Sequence, residues 1–220
     1  MLSADYLSTI RSEGRRLLAC ARRDPVRTVP QYPGWTLTDL VSHTASVHAR
    51  TILICHERPQ ERPALPQPPE GADIIEWGES TLEEMIDTLD AADPEVTVWG
   101  FWPIPSIGLW ERRMVVETGL HRWDGEQAFG EEGALTENVA VAGLEEFGDM
   151  WLARLGEMPL LEVVAHDVAR SWRYGSGTTA GRVEGTASDL YLRLMSRPSP
   201  VTLPAEWAAG VDALDGPSKP

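Results

Sequence analysis

The stretch Glu117-Thr118-Gly119-Leu120-His121-Arg122-Trp123-Asp124 decides how this chain is read. On a helix, Glu117 and His121 stand about 40° apart around the axis and about 6 Å along it, on one face. A carboxylate and an imidazole so placed converge on one ion, as they do inside helix bundles. Asp124, three residues beyond His121 and seven beyond Glu117, shares the stripe and is placed to orient His121 from behind. The same spacing also describes an ordinary Glu–His pair on a helix surface. Arg113, four residues before Glu117, offers that carboxylate an alternative ion-pair partner.

Working outward toward the N-terminus, the next informative residue is His43, in Asp39-Leu40-Val41-Ser42-His43-Thr44-Ala45. Flanked by apolar and small residues, it is either a histidine satisfied by a backbone carbonyl or a third ligand. Two histidines and one carboxylate leave a tetrahedral ion one open position, which marks catalytic rather than structural zinc. Other divalent ions suit the same set, so zinc is a preference. His48, five residues on and about 140° around a helix, cannot share the face of His43. His56 and His166 read as surface histidines.

The pattern around these motifs is mostly helical. Leu7, Ile10, Leu17 and Leu18 give a first amphipathic helix from Ser3 to Arg23, stopped by Asp24-Pro25. After the Pro30–Gly34 loop, Thr36 or Thr38 caps a second helix running to about Glu57. Residues 58–72 hold five prolines and predict a long, stiff connection. A third helix is expected over about 73–92, a fourth from near Trp110 to Phe129, and a fifth over about 136–155. Short β-type runs follow at 162–168, 171–174 and 181–184, then a helix over about 186–197 and a Pro-rich, polar end. The prediction is an α+β protein, a helical bundle over residues 1–157 followed by a small α/β C-terminal domain over 158–220.

Composition narrows the function classes. The formal net charge of −15 argues against nucleic acid or an anionic membrane surface as a partner. No apolar run approaches the roughly 20 residues of a membrane span, and charges interrupt the N-terminal segment where a signal peptide would be apolar. A cytoplasmic location is the expectation. Cys20 and Cys55 form no CxxC pair and read as buried, inert thiols in a reducing compartment. Of 19 basic residues only Lys219 is a lysine, a bias that suggests a GC-rich genome. Trp99, Phe101, Trp102 and Trp110 read as core and loop anchors, with pocket lining as the alternative.

Three stretches, in order and spanning nearly the whole chain, resemble the mycothiol-dependent maleylpyruvate isomerase family of the DinB-like superfamily. They are Gly34-Trp35-Thr36-Leu37-Thr38-Asp39-Leu40-Val41-Ser42-His43, Glu117 through Asp124, and Val183-Glu184-Gly185-Thr186-Ala187-Ser188-Asp189-Leu190 running on to Ser196-Arg197. The resemblance implies a DinB-like four-helix bundle in up-down-down-up order. It also implies a divalent metal held by His43, Glu117 and His121, and mycothiol, the low-molecular-weight thiol of actinobacteria, as second cofactor. Arg197 matches an isomerase arginine, with a dipole-favoured charge at a helix end as the alternative. The implied activity joins a metal-bound thiolate to a small electrophilic metabolite, as an isomerase or a thiol S-transferase. A metal-hydroxide hydrolase and a non-catalytic ligand-binding protein are the rival readings of the same site.

Overall fold

Helix α1 (Ser3–Arg23) opens the fold as the sequence predicts, and the computed structural model describes residues 3–131 and 133–214. Helix α2 (Leu37–Glu57) begins at a reciprocal cap: the Thr36 hydroxyl accepts from the Asp39 amide and the Asp39 carboxylate accepts from the Thr36 amide. Helix α3 (Ile74–Ala91) is capped by Asp73. Helix α4 (Ile107–Gln127) is capped by Ser106, a turn earlier than the Trp110 start expected from the sequence. The hydroxyl of Ser106 takes the Leu109 amide, and the Pro-rich residues before it cannot continue the helix.

Side-chain pairs fix the helix directions. Glu13 meets Arg122, Arg16 meets Glu126 and Arg23 meets Glu131, so α1 and α4 run parallel. Arg11 and Arg22 meet Glu83 and Glu79, so α1 and α3 are antiparallel. On α2 and α3, Gly78 lies against Val41 and Thr88 pairs with His56, a parallel arrangement. His48 meets Thr118 while Thr51 meets Met114, making α2 and α4 antiparallel. The order is therefore up-down-down-up, and the stiff 58–72 segment is the crossover that two parallel helices require.

The two central helices are unusual in what they bury. Alongside Leu40, Val41 and Ile54, α2 encloses Ser42, His43, Thr44, Ser46, His48, Arg50 and Thr51; α4 encloses Glu117, Thr118, His121, Arg122, Asp124 and Glu126. Polar groups leave water only at a cost unless they find partners. This bundle is therefore organised around a polar interior, which explains why α4 shows no amphipathic stripe.

Packing divides the chain after Gly133, with the second unit beginning at Ala134. The sequence reading drew the boundary at 157 and grouped the fifth helix with the bundle. Instead, α5 (Glu137–Glu146) packs on α6 (Ala187–Leu194), where a Cβ on Gly143 would lie within 2.6 Å of the Tyr191 ring. The expected single helix to 155 is also broken: α5 passes into a π turn at Phe147–Trp151 and a 3-10 turn at Leu152–Arg154. A three-stranded sheet follows, with β1 (Pro159–Ala165) in the centre, antiparallel to β2 (Arg170–Tyr174) and parallel to β3 (Ser176–Gly185). Gly175 carries the chain from one edge to the other at φ 77°, where a side chain would strike the carbonyl oxygens of Met158 and Pro159. The C-terminal segment, expected to be irregular, contains α7 (Ala205–Asp212). Pro204 starts it, and Trp207 and Val211, one turn apart, bury its inner face. Lys219 and the rest of the expected tail beyond residue 214 lie outside the described residues.

Candidate metal centre

His43 projects from the middle of α2, and Glu117 and His121 from adjacent turns of α4. The imidazole Nε2 of His43 lies 3.2 Å from Glu117 Oε1, and the Nε2 of His121 lies 3.3 Å from the same oxygen. One donor atom of each residue falls within 4.8 Å of the others, and all three side chains are buried. A tetrahedral ion with bonds of roughly 2.0–2.1 Å separates its ligands by about 3.3 Å. Both His–Glu117 separations fit that spacing, so the donor set is one that a divalent ion could bridge.

Behind the ligands, His121 Nδ1 donates to Asp124 Oδ2 across 3.1 Å, which turns Nε2 toward Glu117. Asp124 is fully buried and also accepts from the Tyr32 hydroxyl at 3.3 Å. Glu117 is doubly engaged, with Oε1 between the two imidazoles and Oε2 against the Arg113 guanidinium. Arg113 therefore pairs with Glu117 in addition to, rather than instead of, the histidine cluster.

Electrostatics follow from these contacts. Burial alone would raise the Glu117 pKa, but Arg113 and His121 outweigh it and hold the carboxyl well below the usual range. For His121, burial favours the neutral ring, yet Glu117 and Asp124 push its pKa up to about 9. Arg113 and the imidazolium of His121 supply the positive charge around this carboxylate. A divalent ion would take over that role and displace the proton.

The loop before α2 contributes residues that motif reasoning did not assign a role. Tyr32 and Trp35 stack with ring centroids 4.8 Å apart. Tyr32 lies 5.8 Å from the His121 ring, and Trp35 lies 5.4 Å from that of His43. Gly34, at φ 83°, allows the turn that places both. The clue in the sequence is two aromatics in a Pro-Gly loop directly before a helix cap. His48, off the face of His43 as expected, is buried and pairs through Nε2 with the Thr118 hydroxyl at 2.9 Å. Desolvation lowers its pKa to about 4.

The remaining expected site residue, Arg197, belongs to the second unit. It closes α6, with its amide donating to Leu192 O and its guanidinium Nη1 to Met195 O, at 2.8 and 2.7 Å. Cys20 and Cys55 are buried, and desolvation pushes each thiol up to about 11. Neither is a ready nucleophile.

Comparison with known proteins agrees with this fold. Two solved structures, of the mycothiol-dependent maleylpyruvate isomerase and of a histidine-to-alanine variant of it, each superpose with a TM-score of 0.69 at 13% identity. The match covers 92% of this chain and 92% of each of those chains, a likeness of fold. No curated protein sequence matches this chain significantly. The family model described as "Mycothiol maleylpyruvate isomerase N-terminal domain" matches residues 7–125, a span that contains His43, Glu117, His121 and Asp124. With more than half of its length inside that match, this chain belongs to the mycothiol maleylpyruvate isomerase family.

Proposed function

We propose that this protein is a metal- and thiol-dependent enzyme, an isomerase or thiol S-transferase that acts on a small electrophile with mycothiol as its thiol. The observation that carries this reading is the buried convergence of His43, Glu117 and His121 at ligand–ligand spacing. Family membership supports the choice of thiol. A divalent ion held there, zinc by preference, would act as a Lewis acid that favours the thiolate over the thiol at its open position.

The chain's own residues do the rest. Asp124 holds the His121 ring in place, and Arg113 keeps Glu117 ionised and turned toward the imidazoles. Tyr32 and Trp35 cover the ring faces with apolar surface and limit the access of water. Arg197 is the residue we assign to a carboxylate of substrate or thiol, through its planar fork. The buried Cys20 and Cys55 support an external thiol as the nucleophile.

Calorimetry of the metal-loaded protein with mycothiol tests the reading. Binding that needs the ion and releases a proton is the expected result. No thiol binding, together with turnover in buffer from metal and water alone, would replace this reading with hydrolysis.

A further inference from the structure

Arg50 stands on α2 seven residues beyond His43, on nearly the same face and about 10 Å farther along the axis. It is enclosed to 6% exposure, and its Nε has no hydrogen-bond acceptor. Among the described residues it makes neither a hydrogen bond nor an ion pair. A guanidinium withdrawn from water without a countercharge is a costly arrangement, and native interiors pair such groups. The negative charge that acts on Arg50 is that of Glu117. Both oxygens of that carboxylate are already engaged, one by the two imidazoles and the other by Arg113.

The surroundings add positive charge rather than relieve it. Burial lowers the Arg50 pKa to about 10, and Arg62 and Arg113 push in the same direction by repelling its charge. The Arg50 guanidinium lies 6.0 Å from the centre of the Trp110 ring, and that of Arg62 lies 5.6 Å from the centre of Phe101. Those two rings are 5.8 Å apart, so neighbouring aromatic faces support both cations. In a protein with net charge −15, three guanidiniums gather where the C-terminal half of α2 meets the start of α4.

We propose that Arg50, flanked by Arg62 and Arg113, is an anion site that takes a carboxylate group of a small ligand. Its partner arrives with the ligand, which is why the fold leaves the group unpaired. A planar guanidinium beside flat aromatic rings matches the two coplanar oxygens of a carboxylate better than a tetrahedral anion. The further assignment of that carboxylate to the electrophile rests on the function proposed above. The site itself does not.

The test titrates the full-length protein, as purified and after treatment with chelator, with succinate; sodium chloride at matched ionic strength is the control. The thermal midpoint should rise saturably with succinate and not with chloride. Arg50→Gln should weaken succinate binding about tenfold or more, and Arg50→Lys, which keeps the charge and loses the fork, by a smaller factor. Without ligand, Arg50→Gln should melt no lower than the wild type, because no hydrogen bond or ion pair is lost and the contact with Trp110 is a long one; a purely structural arginine would melt lower. Should the Gln variant fail to fold, Lys decides: binding as tight as the wild type overturns the proposal. So does the absence of any succinate effect beyond chloride, or inorganic phosphate binding more tightly than succinate. The titration needs neither metal nor thiol. Its failure would leave the thiol reading intact, and a failure of thiol binding would leave the anion site intact.

Discussion

The Nδ1 of His121 and the Oδ2 of Asp124 lie 3.1 Å apart, three residues apart on one helix, and this contact decides which nitrogen of His121 faces Glu117. Asp124→Ala frees the ring to rotate and removes the acceptor that raises its basicity. Metal affinity should fall about 10- to 100-fold with the helical signal unchanged, as read by competition with a chromophoric chelator. Affinity equal to that of the wild type would remove Asp124 from the site.

The ligand set predicts the metal content. The purified protein should hold about one divalent ion per chain, and His43→Ala and His121→Ala should each lose it or hold it far more weakly. Elemental analysis checks this directly. Equal metal in the wild type and both variants would show that the cluster is only a hydrogen-bonded core.

Thiol binding should depend on that ion. Mycothiol at a hundredfold excess over its dissociation constant should add about 2.7 kcal/mol to stability in the metal-loaded protein and nothing in the chelated one. Differential scanning calorimetry of the two forms separates these outcomes, and identical shifts would place the thiol elsewhere.

The two cysteines make a prediction about pH. With each pKa raised to about 11, only about one thiol in a thousand is ionised at pH 8, so alkylation should be far slower than for an exposed cysteine. The sign for stability follows from proton counting. Between pH 9 and 11 the unfolded chain has lost thiol protons that the folded chain keeps, so stability should fall as pH rises through that window. Replacing both with serine should flatten this alkaline limb and leave thiol-dependent turnover in place.

Arg122 carries the strongest structural prediction. It is fully buried, pairing through Nε with Glu13 and through Nη1 with Glu126 at 2.7 Å. Arg122→Met leaves Glu13 buried without a countercharge, a loss of about 3–5 kcal/mol in urea unfolding. A change below about 1 kcal/mol would show that Arg122 is not what compensates the buried Glu13.

What the sequence determined by itself is local. Asp24-Pro25 ends α1, Thr36 or Thr38 starts α2, and helical geometry alone puts Glu117, His121 and Asp124 on one stripe, because caps and periodicity act within a few residues. Tertiary structure decided what each stripe meets. His43 reaches Glu117 across 74 residues of chain, a contact that depends on α2 and α4 running antiparallel side by side. The same packing buried His48 against Thr118 and left the Nε of Arg50 without a hydrogen-bond acceptor, neither of which the local sequence indicates. It also moved α5 from the bundle to α6, where Gly143 lets the Tyr191 ring sit against the helix backbone. An apolar face specifies that a helix will be buried but not which neighbour will cover it, because the hydrophobic effect rewards burial without direction. The choice of neighbour comes from shape and from ion pairs such as Glu13 with Arg122, which no single segment contains.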